Sequence, residues 1–367
     1  MLYAVIMAGG AGTRFWPESR ADRPKQLLGM LGDRTMIQAT VDRRGDLVPP
    51  GQVVVATTAR LAEQIAAQLP QLEPDAILVE PCKRDTAPCI GLAALHVVRE
   101  DPEATMAVMP SDHVIAPEES FQEAIRFAEA LVEADPRRLV TFGIRPAYPA
   151  ETFGYIEHGE VLPSPGAESI AHPPTAYRVR KFHEKPKAEV AQQYVSAGNF
   201  FWNSGIFLWK ARTILDELAR QKPKLHAHLQ RIAGAAGSPQ YGEVLQREFT
   251  AIQGISIDFA VMEHAPEVVV IEAPFDWDDV GSWRALERLR QADAEGNVVD
   301  AQRHLAIDTT GTVVRCGDPD HVVVTIGVDD LIVIVTPDAT LVASKHHEEA
   351  VRQVAKRLEE LGWEEHL

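Results

Sequence analysis

Met7-Ala8-Gly9-Gly10-Ala11-Gly12-Thr13-Arg14-Phe15-Trp16-Pro17, continuing through Ser19-Arg20 to Pro24-Lys25-Gln26, is the stretch around which the chain is organised. The apolar run Tyr3-Ala4-Val5-Ile6 precedes it and reads as a strand buried on both faces. The glycines therefore fall at a strand's carboxyl end, where open α/β sheets bind ligands. Glycine lets the backbone come close to a ligand, consecutive amides form an anion nest, and Arg14 and Lys25 set two cations beside it. Both halves of a polyphosphate site are present in one segment. Neither common phosphate loop matches it: no lysine follows a glycine at the Walker A spacing. The dinucleotide pattern begun at Gly10 and Gly12 meets Phe15 where its third glycine belongs.

Working outward, strand and helix alternate. A helix is expected over 35–47 with Asp33 or Thr35 as its cap, strands over 52–56 and 76–79, and helices over 60–69 and 86–99. A strand over 105–109, a helix over 118–134 and a strand over 138–142 follow. This alternation predicts an α/β fold, a Rossmann-like, mostly parallel sheet covered by helices. With 367 residues, 46% hydrophobic and 24% charged, the chain has the composition of a soluble globular protein of one large and one small domain. No apolar run reaches the roughly 18–20 residues of a membrane span, and the opening strand leaves no room for a signal peptide. A cytoplasmic protein with no membrane partner is expected. Cys82, Cys89 and Cys316 are irregularly spaced and read as reduced thiols rather than a disulfide or zinc framework. A formal net charge of −17 argues against a general nucleic-acid surface, so the cations between Arg14 and Lys25 stand out as a local concentration.

The segment Gly-Gly-x-Gly-Thr-Arg followed by Pro-Lys resembles the signature of the sugar-nucleotide pyrophosphorylases. With Phe15-Trp16-Pro17 and Ser19-Arg20 it is most similar to the bacterial mannose-1-phosphate guanylyltransferases. Later stretches resemble that family in its own order. Glu80-Pro81-Cys82-Lys83-Arg84-Asp85-Thr86-Ala87-Pro88 resembles the Glu-Pro-x-x-Arg-Asn/Asp-Thr-Ala-Pro motif. There Glu80, or backbone carbonyls beside Pro81, could accept the two adjacent donors of guanine; the alternative is that Thr86 merely caps its helix and Glu80 is a solvated loop acid. Met109-Pro110-Ser111-Asp112-His113 places Asp112 where the family holds magnesium, a hard cation suited to carboxylate oxygen; His113 reads as structural.

Phe153-Gly154-Tyr155-Ile156 and His183-Glu184-Lys185-Pro186 resemble the family's sugar side, Glu184 suited to vicinal hydroxyls and Lys185 to a phosphate. Trp202-Asn203-Ser204-Gly205 adds Asn203, able to donate and accept. Ser256-Ile257-Asp258-Phe259 adds Asp258, for which helix N-terminal charge is an equal reason. Phe275-Asp276-Trp277-Asp278-Asp279-Val280-Gly281-Ser282-Trp283 resembles Trp-x-Asp-Val-Gly-Ser-Trp, whose register makes Asp279 the second metal carboxylate, although Asp276 and Asp278 stand close.

From about Gly296 short β runs at 305–307, 312–315, 321–325, 331–335 and 340–342 are separated by turns. The resemblance implies a small C-terminal β domain, a short left-handed β-helix, and the pattern ends in an amphipathic helix over 346–361. His346 and His347 read as solvated. The division expected is a catalytic domain over 1–290 and a β-rich domain over 291–367, in a short form without the isomerase domain of longer relatives. The resemblance implies transfer of GMP from GTP to mannose-1-phosphate with magnesium, in a homodimer. Ala8, Gly9, Gly10, Gly12, Thr13, Arg14, Lys25, Glu80, Thr86, Ser111 and Asp112 would hold the nucleotide. Gly154, Glu184, Lys185, Asn203 and Asp258 would hold the sugar, and Asp112 and Asp279 the metal. Arg14, Lys25, Lys185, Asp112 and Asp279 would act in catalysis. A pyrophosphorylase for another base or sugar, and a nucleotide-sensing subunit that has lost catalysis, are the alternatives.

Overall fold

Leu2–Met7 forms strand β1, buried from Leu2 to Ile6, as a continuous apolar run requires. The computed structural model describes residues 1–10, 12–163 and 173–367; Ala11, within the glycine stretch, lies outside them. Two compact units interleave along the chain. The first comprises Met1–Gly9, Thr40–Ser111 and Ile115–Trp277, the second Gly10–Ala39, Asp112–Val114 and Asp278–Leu367. Among the described residues no helix is long and apolar enough to cross a membrane.

The first unit is built on one sheet of nine strands. After β1 come β2 (Val53–Thr58), β3 (Ile77–Glu80), β4 (Thr105–Pro110), β5 (Leu139–Ile144), β6 (Tyr155–Val161), β7 (Ala176–His183), β8 (Phe200–Lys210) and β9 (Val268–Glu272). Their order is β3-β2-β1-β4-β8-β5-β9-β7-β6. Pairing is parallel across β3-β2-β1-β4, with Ile6 opposite Val55 and Met109, and again between β5 and β9. It is antiparallel where β8 enters between β4 and β5 and where β7 and β6 close the far side. The parallel half gathers the carboxyl ends of β1, β3 and β4, so Gly9, Glu80 and Ser111 leave the same edge. The Ala8 N–H donates to Ala56 O at 2.8 Å and the Ser111 N–H to Met7 O at 3.1 Å. Helices Ala59–Gln68, Thr86–Glu100 and Glu118–Ala134 lie within two residues of their expected bounds, whereas the helix expected over 35–47 runs only from Met36 to Asp42. The core joins Ile90, Ala94, Val97, Leu218, Leu229 and Trp209.

In the second unit the sequence's β-rich tail stacks in parallel. Strand β10 (Val298–Asp300) pairs with β12 (Val313–Cys316), which pairs with β14 (Leu331–Val335); Val298, Val313 and Ile332 lie in one row. Beside this stack, β11 (Arg303–Thr310) pairs in parallel with β13 (Val322–Asp329), and β15 (Thr340–Ser344) closes β14 antiparallel. A chain that returns to two parallel stacks in turn is β-helix-like. Asn297, 1% exposed, is fully used there: its amide donates to Thr309 O at 3.0 Å and accepts the Thr312 N–H at 2.9 Å.

The loop after the glycines belongs to this unit. Phe15, Leu28, Met30 and Met36 pack with Val280, Trp283, Leu286, Val313 and Ile334. Trp283 Nε1 donates to Trp16 O at 3.1 Å, Trp16 Nε1 to His366 O at 3.0 Å, and Arg315 Nε to Glu18 Oε1 at 2.6 Å. The helix expected over 346–361 is two pieces: a 3-10 segment Lys345–Gln353 and an α-helix Val354–Leu361. Ser344 Oγ accepts the His346 N–H, and His347 sits at φ −121, ψ 18, outside helical geometry.

Candidate active site

Lys25 opens a 3-10 turn, Lys25–Leu27, after Pro24, and is 5% exposed. Its ammonium donates to Asp112 Oδ2 at 2.8 Å and to the Asp279 carbonyl at 2.6 Å, and lies 5.7 Å from the centre of the Phe15 ring. One cation thus gathers three segments far apart in sequence. Gly12 makes room for it: at φ 62 it is in the left-handed region, and a Cβ there would stand 2.5 Å from Lys25 Cβ. The neighbouring Gln26 donates its amide to Gly10 O at 3.2 Å. Arg14, on the turn Thr13–Phe15, has its Nε 3.5 Å from Glu349 Oε2 with both side chains well exposed, a weak pair that a phosphate can displace.

The three neighbouring acids part company. Asp276 is exposed. Asp278 is held by the Arg288 guanidinium on both oxygens and accepts the Val280 N–H at 2.7 Å. Asp279 is left beside Lys25, with no described group donating to its carboxylate; burial pushes that carboxyl up to about 6, partly offset by Lys25. Burial would also raise Asp112, but Lys25 and then His113 pull it below its usual range. A half-buried carboxylate to which no described group donates, close to the Lys25–Asp112 pair, fits a divalent cation that takes one or two carboxylates and fills its shell with phosphate and water. Among the described residues there is no cluster of three or more such ligands.

In the first unit, Glu80 ends β3 5% exposed, with its Oε1 buried and unpartnered. Burial lifts its carboxyl to about 7, against a lowering hydrogen bond from Cys89. A Cβ on Gly9 would lie 3.8 Å from Glu80 Oε2. The carboxyl thus lines the edge at the end of β1 rather than standing in solvent. The helix from Thr86 is capped by Asp85, whose Oδ1 accepts the Thr86 N–H at 2.8 Å. The Thr86 hydroxyl accepts the Ile257 N–H at 2.8 Å, tying that helix to the segment before Asp258.

The remaining residues meet around Gly154, where a Cβ would stand 2.9 Å from Glu184 Oε2 and 3.7 Å from Asn203 Cβ. Glu184 Oε1 is 2.7 Å from Lys185 Nζ, which is 61% exposed. Asn203 donates to Asp258 Oδ1 at 2.8 Å, while its oxygen takes the Gly205 N–H at 3.2 Å and the Thr141 hydroxyl at 3.3 Å. Among the described residues that network engages one of the two Asn203 side-chain N–H groups. Asp258 starts a π-helical turn, Asp258–Met262, a rare geometry frequent at functional sites.

Burial, then the Glu184 charge, raises the Asp258 carboxyl to about 6. The folded protein therefore holds more protons than the unfolded chain between about pH 4 and 6, and stability contributed here falls as pH rises through that window. Asp258→Asn keeps an oxygen for Asn203 and removes the charge. Its melting temperature relative to the parent is expected to be higher at pH 8 than at pH 4.5; an unchanged difference would contradict the buried, charge-crowded reading.

Thr141, Asp278 and Arg288 had no motif to announce them. Asp278 carried a hint, an acid beside the metal register, whereas Thr141 is a polar residue in a buried strand and Arg288 a helix residue.

Comparison with known proteins shows the family of the chain. The description "Nucleotidyl transferase" matches residues 3–296, and "MannoseP isomerase/GMP-like beta-helix domain" matches residues 302–358. The chain is 39% identical over its full length to a Salmonella typhimurium protein named mannose-1-phosphate guanylyltransferase ManC, covering 75% of it. It is also 39% identical to the Escherichia coli K12 mannose-1-phosphate guanylyltransferase, with the same coverage. A crystal structure from Thermus thermophilus, described as a mannose-1-phosphate geranyltransferase, superposes with TM-score 0.85 at 37% identity, covering 98% of this chain and 99% of that one. On this likeness along the whole chain, it belongs to the nucleotidyl transferase family and, within it, to the mannose-1-phosphate guanylyltransferases.

Proposed function

We propose that this nucleotidyltransferase moves GMP from GTP to mannose-1-phosphate, releasing pyrophosphate, with residues 1–290 as its catalytic part and residues 291–367 as its small β-rich domain. The observation that carries the reading is the Lys25 ammonium joining the Asp112 carboxylate to the Asp279 carbonyl. A sugar-phosphate oxygen forms a bond to the α-phosphorus of GTP as the bond to the bridging oxygen breaks, and pyrophosphate leaves with that electron pair. Phosphate oxygen is already ionised at neutral pH, so no enzyme nucleophile is required. Catalysis is positioning and neutralisation of charge.

In the second unit Lys25, Arg14 and the amides of Gly10, Gly12 and Thr13 take the triphosphate; in the first, Ala8, Gly9, Thr86 and Ser111 bind the nucleotide. Asp112 and Asp279 hold magnesium, which when bound withdraws charge from the phosphate oxygens. Lys185 takes the sugar phosphate; Glu184, Asn203 and Asp258 bind the hexose, with Gly154 keeping the backbone clear. Glu80, with a buried unpartnered oxygen, accepts from guanine N1–H and the 2-amino group. The three unpaired cysteines suit the reducing cytoplasm, where we place the reaction.

The test is a panel of nucleoside triphosphates against sugar-1-phosphates, followed by pyrophosphate release. GTP with mannose-1-phosphate is expected to give the highest kcat/KM. Glu80→Gln, which turns an acceptor into a donor, should shrink the preference for GTP over ATP by about tenfold or more. A different preferred pair would overturn the base and sugar assignment and leave nucleotidyl transfer standing.

For the homodimer, the support is the outer face of the β11–β13 pair. Leu305 lies opposite Val324 and Ile307 opposite Ile326; with Val322 they are 45% to 60% exposed. A contiguous apolar face of this kind is what a protein partner covers, and a second copy is the occupant we assign. Val324→Asp with Ile326→Asp is expected to convert a dimer to a monomer by light scattering; an unchanged mass would remove this face from the assembly.

A further inference from the structure

Asp278 stands beside the cation site and is already committed elsewhere. Arg288 Nη2 donates to its Oδ1 at 3.0 Å, Arg288 Nε donates to its Oδ2, and Oδ1 also accepts the Val280 N–H at 2.7 Å. That last bond spans Asp279. Val280 sits at φ 47, a conformation a β-branched residue takes only when its surroundings enforce it. Its side chain is fully buried among Phe15, Trp283, Leu286 and Ile334. Two anchors therefore hold the backbone on the far side of Asp279: a packed isopropyl group, and a carboxylate capping the N–H. The carbonyl they fix is the one that receives Lys25 Nζ at 2.6 Å. Strain of this kind persists where a site must be held in one geometry.

We propose that Asp278, clamped by Arg288, is a positioning residue for the cation site: it holds Val280 in the left-handed region and so aims Asp279. The proposal rests on the reading that Asp112 and Asp279 hold a divalent ion. Asp278 touches no substrate in this scheme, and its two oxygens are spent on Arg288 and on the backbone.

The test is Mn²⁺ binding to the full chain, followed by loss of the free-ion electron paramagnetic resonance signal, with thermal melting of each variant alongside. Asp278→Ala and Asp278→Asn remove the same charge, but only asparagine keeps an oxygen to cap Val280. Asparagine is expected to bind Mn²⁺ about tenfold more tightly than alanine, the scale on which outer-shell partners tune metal affinity; equal affinities would overturn the proposal.

Arg288→Gln supplies a second reading if the alanine variant does not fold. It takes a positive charge away from a cation site, so Coulomb's law alone predicts tighter binding, whereas loosening of the clamp predicts weaker binding. Weaker binding supports the proposal and tighter binding overturns it. Asp279→Asn separates the two layers. If it binds Mn²⁺ as the parent does, the metal assignment has failed. If it loses binding while the Asp278 variants keep theirs, only the positioning role has failed.

Discussion

Lys25→Ala is expected to lower turnover by roughly 100-fold or more with both substrates and magnesium saturating, the scale of losing one preorganised charge at a reacting centre. The alanine keeps the Cβ that stands against Gly12, so the glycine loop has no reason to collapse. What disappears is the ammonium at 2.8 Å from Asp112 and 2.6 Å from the Asp279 carbonyl. Asp112 then keeps its charge without its partner. Because its side chain is 34% exposed, water can take over part of that role, and the cost in stability should be about 1 kcal/mol rather than the larger loss seen when a fully buried pair is broken. A variant that melts near the parent temperature but turns over poorly is the expected result. Rates within a few-fold of the parent would remove Lys25 from the chemistry.

Asp279→Asn is expected to cost a similar factor, roughly 100-fold or more, for a different reason. The substitution preserves shape and leaves the main-chain carbonyl to accept from Lys25, so the three-segment junction survives. It removes a half-buried carboxylate that receives no hydrogen bond from any described residue, the group we assign to the cation. Raising magnesium should recover part of the rate, because the lesion lies in holding the ion. The equivalent change at Asp278 should not abolish metal dependence, since that acid is engaged by Arg288. If Asp279→Asn retained full turnover at low magnesium, the metal would have to be assigned elsewhere.

Much of the fold follows from local pattern. The apolar run of β1, the alternation through residue 144 and the glycine stretch at a strand end are all periodic or motif signals, and each element appears within two residues of its expected place except the helix over 35–47, which stops at Asp42. The interleaving of the two units is not local. Phe15, Leu28, Met30 and Met36 lie in a segment with little regular structure, and their common purpose is visible only once Trp283, Val313 and Ile334 close over them. Strand β8 shows the same limit: nothing local in its 11 residues says that it will run antiparallel between β4 and β5. At the site, register alone favoured Asp279 over its two acidic neighbours. The physical reason, that Arg288 occupies Asp278, depends on a helix residue ten positions on. The π-turn at Asp258 and the network through Thr141 likewise come from packing rather than spacing.

The central claim is direct transfer of the guanylyl group to the sugar phosphate. It is tested most directly by incubating the protein with magnesium, mannose-1-phosphate and GTP labelled with ³²P at the α-phosphorus, then separating protein from small molecules under denaturing conditions. The account predicts that the label appears in GDP-mannose, matched by pyrophosphate, and that none remains on the protein. Label retained on the chain, or no labelled sugar nucleotide at all, would contradict it.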